Sequence, residues 1–333
     1  WIDHHLILDA ASTDGTRQIL AALAREGAPL TLFTSSDQRD CLQTGSNELT
    51  QWALTHDGAD WVLPLNADEF FAGPDRAALE TALSNGPTDQ PVTLPLHNYS
   101  TTTADDPAVR NPVVRIQHRQ HGSSGTSRVL IPRAAGLRAG VTADPGNHAL
   151  MDGAVRLEAR ALTNAYLARF ALRSPQQQVL HVITGELQRL SRGRSQAGLD
   201  THNRLGFQLL AQDPEAFFAT VLQPPGKLVR EPVAYVGGAL RYDEGVPEIV
   251  RSARAFLPFL EKLAWSHGHL VDGAGEAPAR PEGTESLRVL DPAEVTELPS
   301  PARAAFRGFV TMSGWQKEEG RVPSELLPGF KDR

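Results

Sequence analysis

Two apolar segments that end abruptly in acidic and small polar residues constrain the fold of this chain most. The first is residues 7–16, ILDAASTDGT, and the second is residues 60–71, DWVLPLNADEFF. A buried strand that delivers carboxylates to the edge of a sheet has this pattern, and in open α/β sheets that edge is where ligands bind. The pair therefore predicts a sheet edge with a nucleotide on one carboxylate and a metal-bridged diphosphate on the other.

The residues around these two segments alternate between helical and strand patterns. After Thr16, apolar residues recur at helical spacing until Gly27 and Pro29. The segments that follow predict a strand at 30–34, a helix at 42–56 and a strand at 61–65. Strands that alternate with helices imply a parallel sheet, and hence the α/β class.

Beyond Phe71 the patterns indicate a more antiparallel region. One helix is predicted from Gly73-Pro74 to about Leu83. A second is predicted from Pro175 to Leu190, because proline is favourable in the first turn of a helix. Strands are predicted at 92–99, 113–117, 129–132, 155–161 and 166–172. Residues 1–6 have the pattern of a helix end, followed directly by a strand from Ile7.

These motifs resemble the nucleotide-binding half of family 2-type glycosyltransferases with a GT-A fold, a Rossmann-like mixed sheet flanked by helices. The match is closest to the bacterial branch whose second motif reads Asp-x-Asp-Glu-Phe. Two later segments, Gly146-Asn147-His148 and Arg173-Ser174-Pro175, extend the resemblance to roughly residues 1–195. Members of that family have a further strand before the first helix and a loop after it. We therefore expect residues upstream of Trp1 and a break near Leu6 and Ile7.

The resemblance implies a nucleotide-sugar-binding role for six residues. The first carboxylate, Asp9, accepts a hydrogen bond from a ring N–H of uracil or guanine, and the later strand-to-helix junction approaches the diphosphate. Asp14 has the alternative role of a turn or helix cap. For Arg173 and Ser174 the alternative is a salt bridge with a cap. The six positions are Asp9, Ser12, Asp14, Asn66, Arg173 and Ser174.

The resemblance also implies a divalent metal, Mn²⁺ or Mg²⁺, held at Asp68, Asn66 and His148. Asn66 stands where the family usually has Asp, so it offers a carbonyl oxygen but no charge. We therefore expect weak metal binding that depends on Asp68. The metal would act as a Lewis acid and stabilise the charge that grows on the leaving nucleoside diphosphate.

The catalytic residues that the resemblance implies are Asp68 and Glu69. Two roles are open for Glu69: local hydrogen bonding that orders the loop, or a position near the acceptor. An inverting transfer needs a general base that deprotonates the acceptor hydroxyl. The candidates for this base are Glu69, Asp144 and Asp152.

Two further groups of residues are weaker candidates. The end of the strand at 92–99 is expected on the acceptor side, and the basic run near residue 190 either contacts phosphate or an anionic acceptor or is a solvated helix end. These candidates are His97, Asn98 and Tyr99, and Arg189, Arg192 and Arg194.

Outside the resemblance, the sequence predicts a mostly helical extension over 196–272 and an extended linker and tail over 273–333. Helices in the extension are expected at 204–211, 214–222 and 250–265. The segment 273–303 is rich in Pro, Glu and Ala, which is typical of a linker. The tail carries an aromatic group, which consists of Phe306, Phe309 and Trp315.

The composition of this 333-residue chain excludes some classes of partner and some cellular locations. The formal charge of −7 and the lack of a basic stripe argue against a nucleic-acid partner. Cys41 is the single cysteine, so an intrachain disulfide is excluded and a reducing compartment fits. No apolar run approaches the roughly 20 residues of a membrane-spanning helix. We therefore predict a cytoplasmic protein and leave open peripheral contact with the inner face of a membrane.

The function that these features predict is metal-assisted, inverting glycosyl transfer. The donor is a nucleoside diphosphate sugar and the acceptor a saccharide or glycoconjugate, as in polysaccharide or glycoconjugate synthesis.

Three alternatives are weaker. A phosphatase of the haloacid dehalogenase type needs Asp-x-Asp-Gly-Thr directly after a strand, whereas Asp9 and Asp14 are five residues apart. A sugar-nucleotide pyrophosphorylase needs a Gly-rich basic loop that is not visible in this sequence. A non-catalytic sugar-nucleotide-binding scaffold stays open, with Asn66 as the mark of lost metal binding.

Overall fold

The computed structural model describes residues 2–9, 12, 15–34, 44–122, 125–191, 201–222, 226–234 and 288–295. These residues form a mixed α/β structure. In chain order the elements are β1 (His5–Asp9), α1 (Thr16–Arg25), β2 (Leu30–Thr34), α2 (Thr44–Thr55), β3 (Trp61–Val62), β4 (Glu69–Ala72), α3 (Arg76–Ser84), β5 (Val92–Asn98), α4 (Pro112–Arg115), β6 (His118–Gln120), β7 (Ser127–Pro132), α5 (Arg133–Gly136), β8 (Val141–Ala143), β9 (Leu150–Asp152), β10 (Val155–Arg156), β11 (Arg160–Ala161), β12 (Tyr166–Arg169), α6 (Pro175–Ser191), α7 (Thr201–Gln212), α8 (Pro214–Leu222), β13 (Leu228–Arg230), β14 (Arg288–Val289) and a 3-10 helix at Pro292–Glu294.

The N-terminal unit is a β-α-β arrangement, as the sequence patterns predict. Strands β1 and β2 are parallel, with Asp9 opposite Thr34, and α1 connects them. Ala21 of α1 and Leu32 of β2 are buried together, because the apolar stripe of the helix covers the apolar face of the strands. The predicted helix after Asp14 and the predicted strand at 30–34 are both confirmed.

The predicted helix end at residues 1–6 is wrong over its described part. His5 and Leu6 belong to β1, and Leu6 and Ile7 are consecutive strand residues opposite Thr31 and Leu32. The expected break between these two residues is therefore absent from β1. A six-residue pattern does not reveal a parallel partner about 25 residues away, and that partner supplies the backbone hydrogen bonds that make this segment a strand.

The second sheet is mixed and has the strand order β3-β7-β5-β12-β4, with β11 beside β5. Strand β12 is parallel to β5, whereas β3, β4 and β5 each pair in antiparallel fashion with a neighbour. The predicted strand at 61–65 is shorter than expected, since β3 ends at Val62. Pro64, which lacks an N–H, cannot extend the ladder.

Asp9 and Asp68 therefore do not lie at the edge of one parallel sheet, which corrects the sequence prediction. Strand β1 pairs with β2, and β3 pairs with β7 in the other sheet. Helix α2 contacts both β1 and β3 and so links the two sheets. Gly45 in α2 permits this packing, because an added Cβ would overlap the side chain of Leu8.

One face of the second sheet is apolar along most of its length and polar at one end. Residues that are register partners on neighbouring strands share a face. The apolar part of this face consists of Phe71, Leu94, Leu96, Leu130 and Leu167. At the end of the same face lie Glu69, Asn98, Arg128 and Arg169. The apolar core thus supports a row of polar side chains from four adjacent strands.

Two predicted strands are replaced by other structure. Residues 113–117 lie largely in helix α4, because the Asn111 side chain accepts a hydrogen bond from the Val113 N–H and Pro112 occupies the first turn. The predicted strand at 155–161 is split into β10 and β11. The predicted strand at 166–172 ends at Arg169 as β12.

The C-terminal part that the structure describes contains the two helices expected at 204–211 and 214–222, which are α7 and α8. Val182 of α6 and Phe217 of α8 are buried between the three helices. Residues 288–295, in the predicted linker, form β14 against β2 and a 3-10 helix against α1. The helix predicted at 250–265 and the aromatic group Phe306, Phe309 and Trp315 lie outside the described residues.

The helices in the described ranges include none with the length and apolar character that crossing a bilayer demands.

Candidate functional site

Asp9 ends β1 as a buried carboxylate that is paired with a cation. Its side chain is 1% exposed, and Arg17 donates from Nε to Oδ2 at 2.8 Å, with Nη2 at 2.6 Å from the same oxygen. The backbone N–H of Ser12 donates to the other oxygen at 3.1 Å. Arg17 also donates to Thr34 Oγ1 at 3.2 Å. The first motif therefore presents the partly exposed guanidinium of Arg17 and covers the carboxylate that orients it.

Arg17 is a residue that the sequence reasoning missed. Its only signal is its place in the first turn of α1, eight residues after Asp9. Asp14, which was predicted to cap this helix or contact the ligand, lies outside the described residues.

Glu69 of the second motif is fully buried in an ion pair with Arg128. Nη2 of Arg128 lies 2.5 Å from Oε1 of Glu69, and Nε lies 3.0 Å from Oε2. The Glu69 side chain is 0% exposed and the Arg128 side chain is 5% exposed. The backbone and side-chain nitrogens of Asn66 also donate to this carboxylate, each at 3.2 Å. Of the two roles predicted for Glu69, the geometry favours the ordering of the loop.

Arg128 also holds the segment Gly146-Asn147-His148, a contact that no sequence pattern predicts. Its Nη1 donates to the carbonyl oxygen of Gly146 at 2.5 Å. On the far side, Ser46 in the first turn of α2 donates to the side-chain oxygen of Asn147 at 3.1 Å. Arg128 is the single charged residue of the buried strand β7, and this was the one signal for its role.

The carboxylates of Asp144 and Asp152, two of the candidate general bases, interact with other parts of the chain. One oxygen of Asp144 accepts the backbone N–H groups of His148 at 2.5 Å and Ala149 at 2.9 Å, so this carboxylate orders the loop. Asp152 lies in the separate sheet of β8, β9 and β10, where its exposed carboxylate is 3.7 Å from Arg138. Asp144 thus reaches the Glu69–Arg128 pair only through the backbone of the loop that it orders, and Asp152 lies in another sheet.

His148 Nδ1 has two neighbours of opposite hydrogen-bonding type. It lies 2.7 Å from the carbonyl oxygen of Ser127, which can only accept, and 3.1 Å from Nη1 of Arg128, which can only donate. Both contacts use Nδ1 and leave Nε2 as the ring nitrogen outside them. A histidine that ligates a metal commonly has its second nitrogen bonded to a carbonyl in this way.

Gly146 is needed next to this imidazole. Its φ of +100° is a conformation that L side chains rarely adopt, and an added Cβ would lie 2.7 Å from His148 Nε2. We expect Gly140→Ala to lower the free energy of unfolding by about 1–2 kcal/mol, because alanine disfavours a positive φ. Gly146→Ala should lower it clearly more. Gly140 has a φ of +81° but no atom within 4 Å of its added Cβ, so the difference isolates the clash. Urea unfolding of both variants measures it, and equal losses would contradict this packing.

Asp68 and Asn66 are the accessible members of the second motif. The Asp68 side chain is 21% exposed and accepts from Arg169 Nε at 3.3 Å, while its backbone oxygen accepts from Phe170 N–H at 2.8 Å. The side-chain nitrogen of Asn66, Nδ2, donates a hydrogen bond to Glu69. The side-chain oxygen, Oδ1, is the acceptor atom that this bond does not use.

Ser174 forms the cap that was one of its two predicted roles. Its hydroxyl oxygen accepts the backbone N–H of Gln177 at 3.1 Å, at the start of α6. The backbone of Arg173 is fixed as well, because its N–H donates to Gln177 Oε1 at 3.1 Å and its carbonyl accepts from Arg115 at 2.5 Å. No salt bridge of the Arg173 guanidinium occurs among the described residues.

His181, on α6, is a further residue that the sequence reasoning missed. The pKa of its imidazole is lowered, mainly because nearby protein atoms displace water around the ring. The charges of Arg169 and Arg173 also lower this pKa, whereas the Asp68 carboxylate raises it. The imidazole therefore lies in the field of all three groups. Its spacing of seven residues from Ser174 on one helix was the only signal.

The acceptor-side candidates lie on both faces of the sheet. Asn98 is the register partner of Arg169 and shares its face. His97 faces the other way and stacks on Tyr166 with ring centroids 4.5 Å apart. Tyr99 is buried on that opposite face and donates to the Glu231 carbonyl at 2.9 Å, and burial raises its pKa. Only Asn98 is therefore placed beside the second motif.

The basic run near residue 190 contributes nothing to this description. Arg189 belongs to α6, but its side chain, like the whole of Arg192 and Arg194, lies outside the described residues.

Over the described ranges, no group of three or more His, Cys, Asp or Glu side chains is placed to hold a metal ion. The predicted set, Asp68, Asn66 and His148, contains only two residues of these types.

The comparisons with known proteins give no match, either to a family model or to a curated protein.

Proposed function

We propose that the chain is a glycosyltransferase with a GT-A-like fold, which moves a sugar from a nucleoside diphosphate sugar to an acceptor hydroxyl with the help of a divalent metal. The observation that carries this proposal is the buried Glu69–Arg128 pair, which joins the Asn66–Glu69 motif to the Gly146-Asn147-His148 segment. The resemblance assigns both segments to one metal and diphosphate site, and they are nearly 80 residues apart in the chain.

The donor atoms of this site suit a divalent ion. Asp68 offers a partly exposed carboxylate, Asn66 its Oδ1 and His148 its Nε2, while Nδ1 of the same ring is engaged by Ser127 and Arg128. Two oxygen ligands and one nitrogen ligand suit Mn²⁺ better than Mg²⁺. When bound, the ion would supply Lewis-acid stabilisation of the leaving diphosphate.

The remaining residues of the site either position its loops or supply charge that faces the donor. Glu69 and Asp144 act as positioning residues for the two loops, because each carboxylate is occupied by donors of the chain itself. Arg169 contacts Asp68, and the charges of Asp68, Arg169 and Arg173 all act on the His181 imidazole, so these basic groups would face the diphosphate. The Asp9–Arg17 pair at the end of β1 would meet the nucleobase end of the donor.

The test of this function is a thermal-shift panel of UDP-, GDP-, CMP- and TDP-sugars with Mn²⁺. A ligand that binds only the native state at a hundred times its dissociation constant stabilises it by about 2.7 kcal/mol. We expect stabilisation by one diphosphate class and no effect of the CMP-sugar. Hydrolysis of the stabilising sugar nucleotide without acceptor distinguishes an enzyme from a non-catalytic binding domain. No shift with any member of the panel would contradict the proposal.

Asp9→Ala is expected to weaken binding of the nucleoside diphosphate by about 1.5–3 kcal/mol, which corresponds to roughly a 10- to 150-fold rise in dissociation constant. The substitution removes the buried carboxylate that orients Arg17, so the nucleobase end of the donor loses the ordered guanidinium beside it. Calorimetry on the folded variant measures this loss. Asp57→Ala, at an exposed position, is the control. Unchanged affinity in Asp9→Ala would remove β1 from the nucleotide site.

A further inference from the structure

The two arginines at the polar end of the sheet face are bound to their carboxylates in different ways. Arg128 and Glu69 are 2.5 Å apart and buried, with two further donors from Asn66 on the carboxylate. Arg169 and Asp68 are 3.3 Å apart, with side chains 36% and 21% exposed, and only one nitrogen is engaged. The first pair is a fixed link, whereas a long and partly exposed pair is weak and easily exchanged.

The Asp68 carboxylate is already met by a cation. Arg169 contacts it at 3.3 Å, and the neighbouring Glu69 carboxylate is balanced by Arg128. Asn66 adds an oxygen without charge. A divalent ion that arrives alone at Asp68 therefore meets a carboxylate that an arginine already occupies.

We infer that Arg169 is an exchangeable counter-ion of Asp68, which yields the carboxylate to the metal and transfers its own charge to the diphosphate of the donor. This inference rests on the proposed function. The exchange is favourable only when metal and diphosphate arrive together, because the diphosphate provides oxygens for both the ion and the released guanidinium. A ligand with a single phosphate offers fewer oxygens, so the device selects diphosphate over monophosphate sugar nucleotides.

Cooperativity between metal and nucleotide is the consequence that can be measured. Arg169 weakens metal binding in the absence of nucleotide and strengthens nucleotide binding in the presence of metal. By thermodynamic linkage, the factor by which the nucleotide raises metal affinity equals the factor by which the metal raises nucleotide affinity. Removal of Arg169 should therefore reduce both factors together.

The experiment is a Mn²⁺ titration of the full chain, followed by electron paramagnetic resonance of the free ion, without nucleotide and with UDP or GDP. We expect Arg169→Met to raise Mn²⁺ affinity without nucleotide at least tenfold and to reduce the enhancement by the diphosphate by a similar factor. Arg138→Met is the matched control, because Arg138 also makes a long, exposed pair with an aspartate, at 3.7 Å. This control should leave both quantities unchanged.

Two outcomes separate the inference from the function on which it rests. Wild-type Mn²⁺ affinity and unchanged cooperativity in both Arg169→Met and Arg169→Gln would overturn the counter-ion role, while the metal site itself would stand. Absence of Mn²⁺ binding in every variant, with and without nucleotide, would overturn the proposed metal-assisted function as well. In the double variant Asp68→Ala/Arg169→Met, loss of the gained affinity identifies Asp68 as the ligand, and retention of it would overturn the inference.

Discussion

Arg128→Met is expected to lower the free energy of unfolding by about 3–5 kcal/mol, because it leaves the fully buried Glu69 carboxylate without its counter-charge. The same substitution removes the donor to the Gly146 carbonyl, so the loop that carries His148 loses its anchor. Urea unfolding followed by tryptophan fluorescence measures the loss as a fall in the midpoint concentration.

Arg76→Met is the control for this prediction. Arg76 pairs with Asp3 and Glu80 at 2.6 and 2.7 Å, but all three side chains are more than half exposed. Its loss should cost far less stability than the loss of Arg128, since solvent screens exposed pairs. The double variant Glu69→Met/Arg128→Met should recover much of the stability, because no buried charge is left alone. Equal effects of Arg128→Met and Arg76→Met would contradict the buried link.

Asp68→Ala is expected to reduce turnover of the sugar nucleotide more than a thousandfold, which corresponds to about 4 kcal/mol in the activation free energy. Asp68 is the accessible carboxylate between Asn66 and Glu69, so its loss removes the charge that would hold the divalent ion against the diphosphate. Stability should change little, because its side-chain pair with Arg169 is long and partly exposed. Hydrolysis of the sugar nucleotide that the thermal-shift panel identifies, assayed in Mn²⁺ without acceptor, measures the effect.

Two companion measurements sharpen this prediction. Asn66→Asp should tighten Mn²⁺ binding without nucleotide, because it adds the charge that this motif lacks. Asp152→Ala, which removes an exposed carboxylate in another sheet, should leave turnover unchanged. Full activity of Asp68→Ala, or of the wild type in excess chelator, would mean that the second motif is not a metal site.

The elements that the sequence predicted well are those with strong local patterns. Helices α1, α7 and α8 and strand β2 follow from apolar periodicity and from stops at Gly and Pro. The errors have two causes, one local and one distant in the sequence. Helix α4 replaces a predicted strand because one side-chain cap outweighs an apolar run, and β1 begins earlier than expected because β2 supplies its hydrogen bonds.

The sequence by itself determined that Asp9 ends a strand and that helices α1, α7 and α8 form, because burial and backbone preference leave local patterns of residues. Only the tertiary structure decided which cation each carboxylate meets. Arg128 is 59 residues from Glu69, and Arg169 is 101 residues from Asp68. Their pairing depends on strand order and register, which bring β4 beside β12 and turn all four side chains to one end of the sheet. A charge has no periodicity that records its partner, so the contrast between the fixed and the exchangeable arginine exists only in the folded chain.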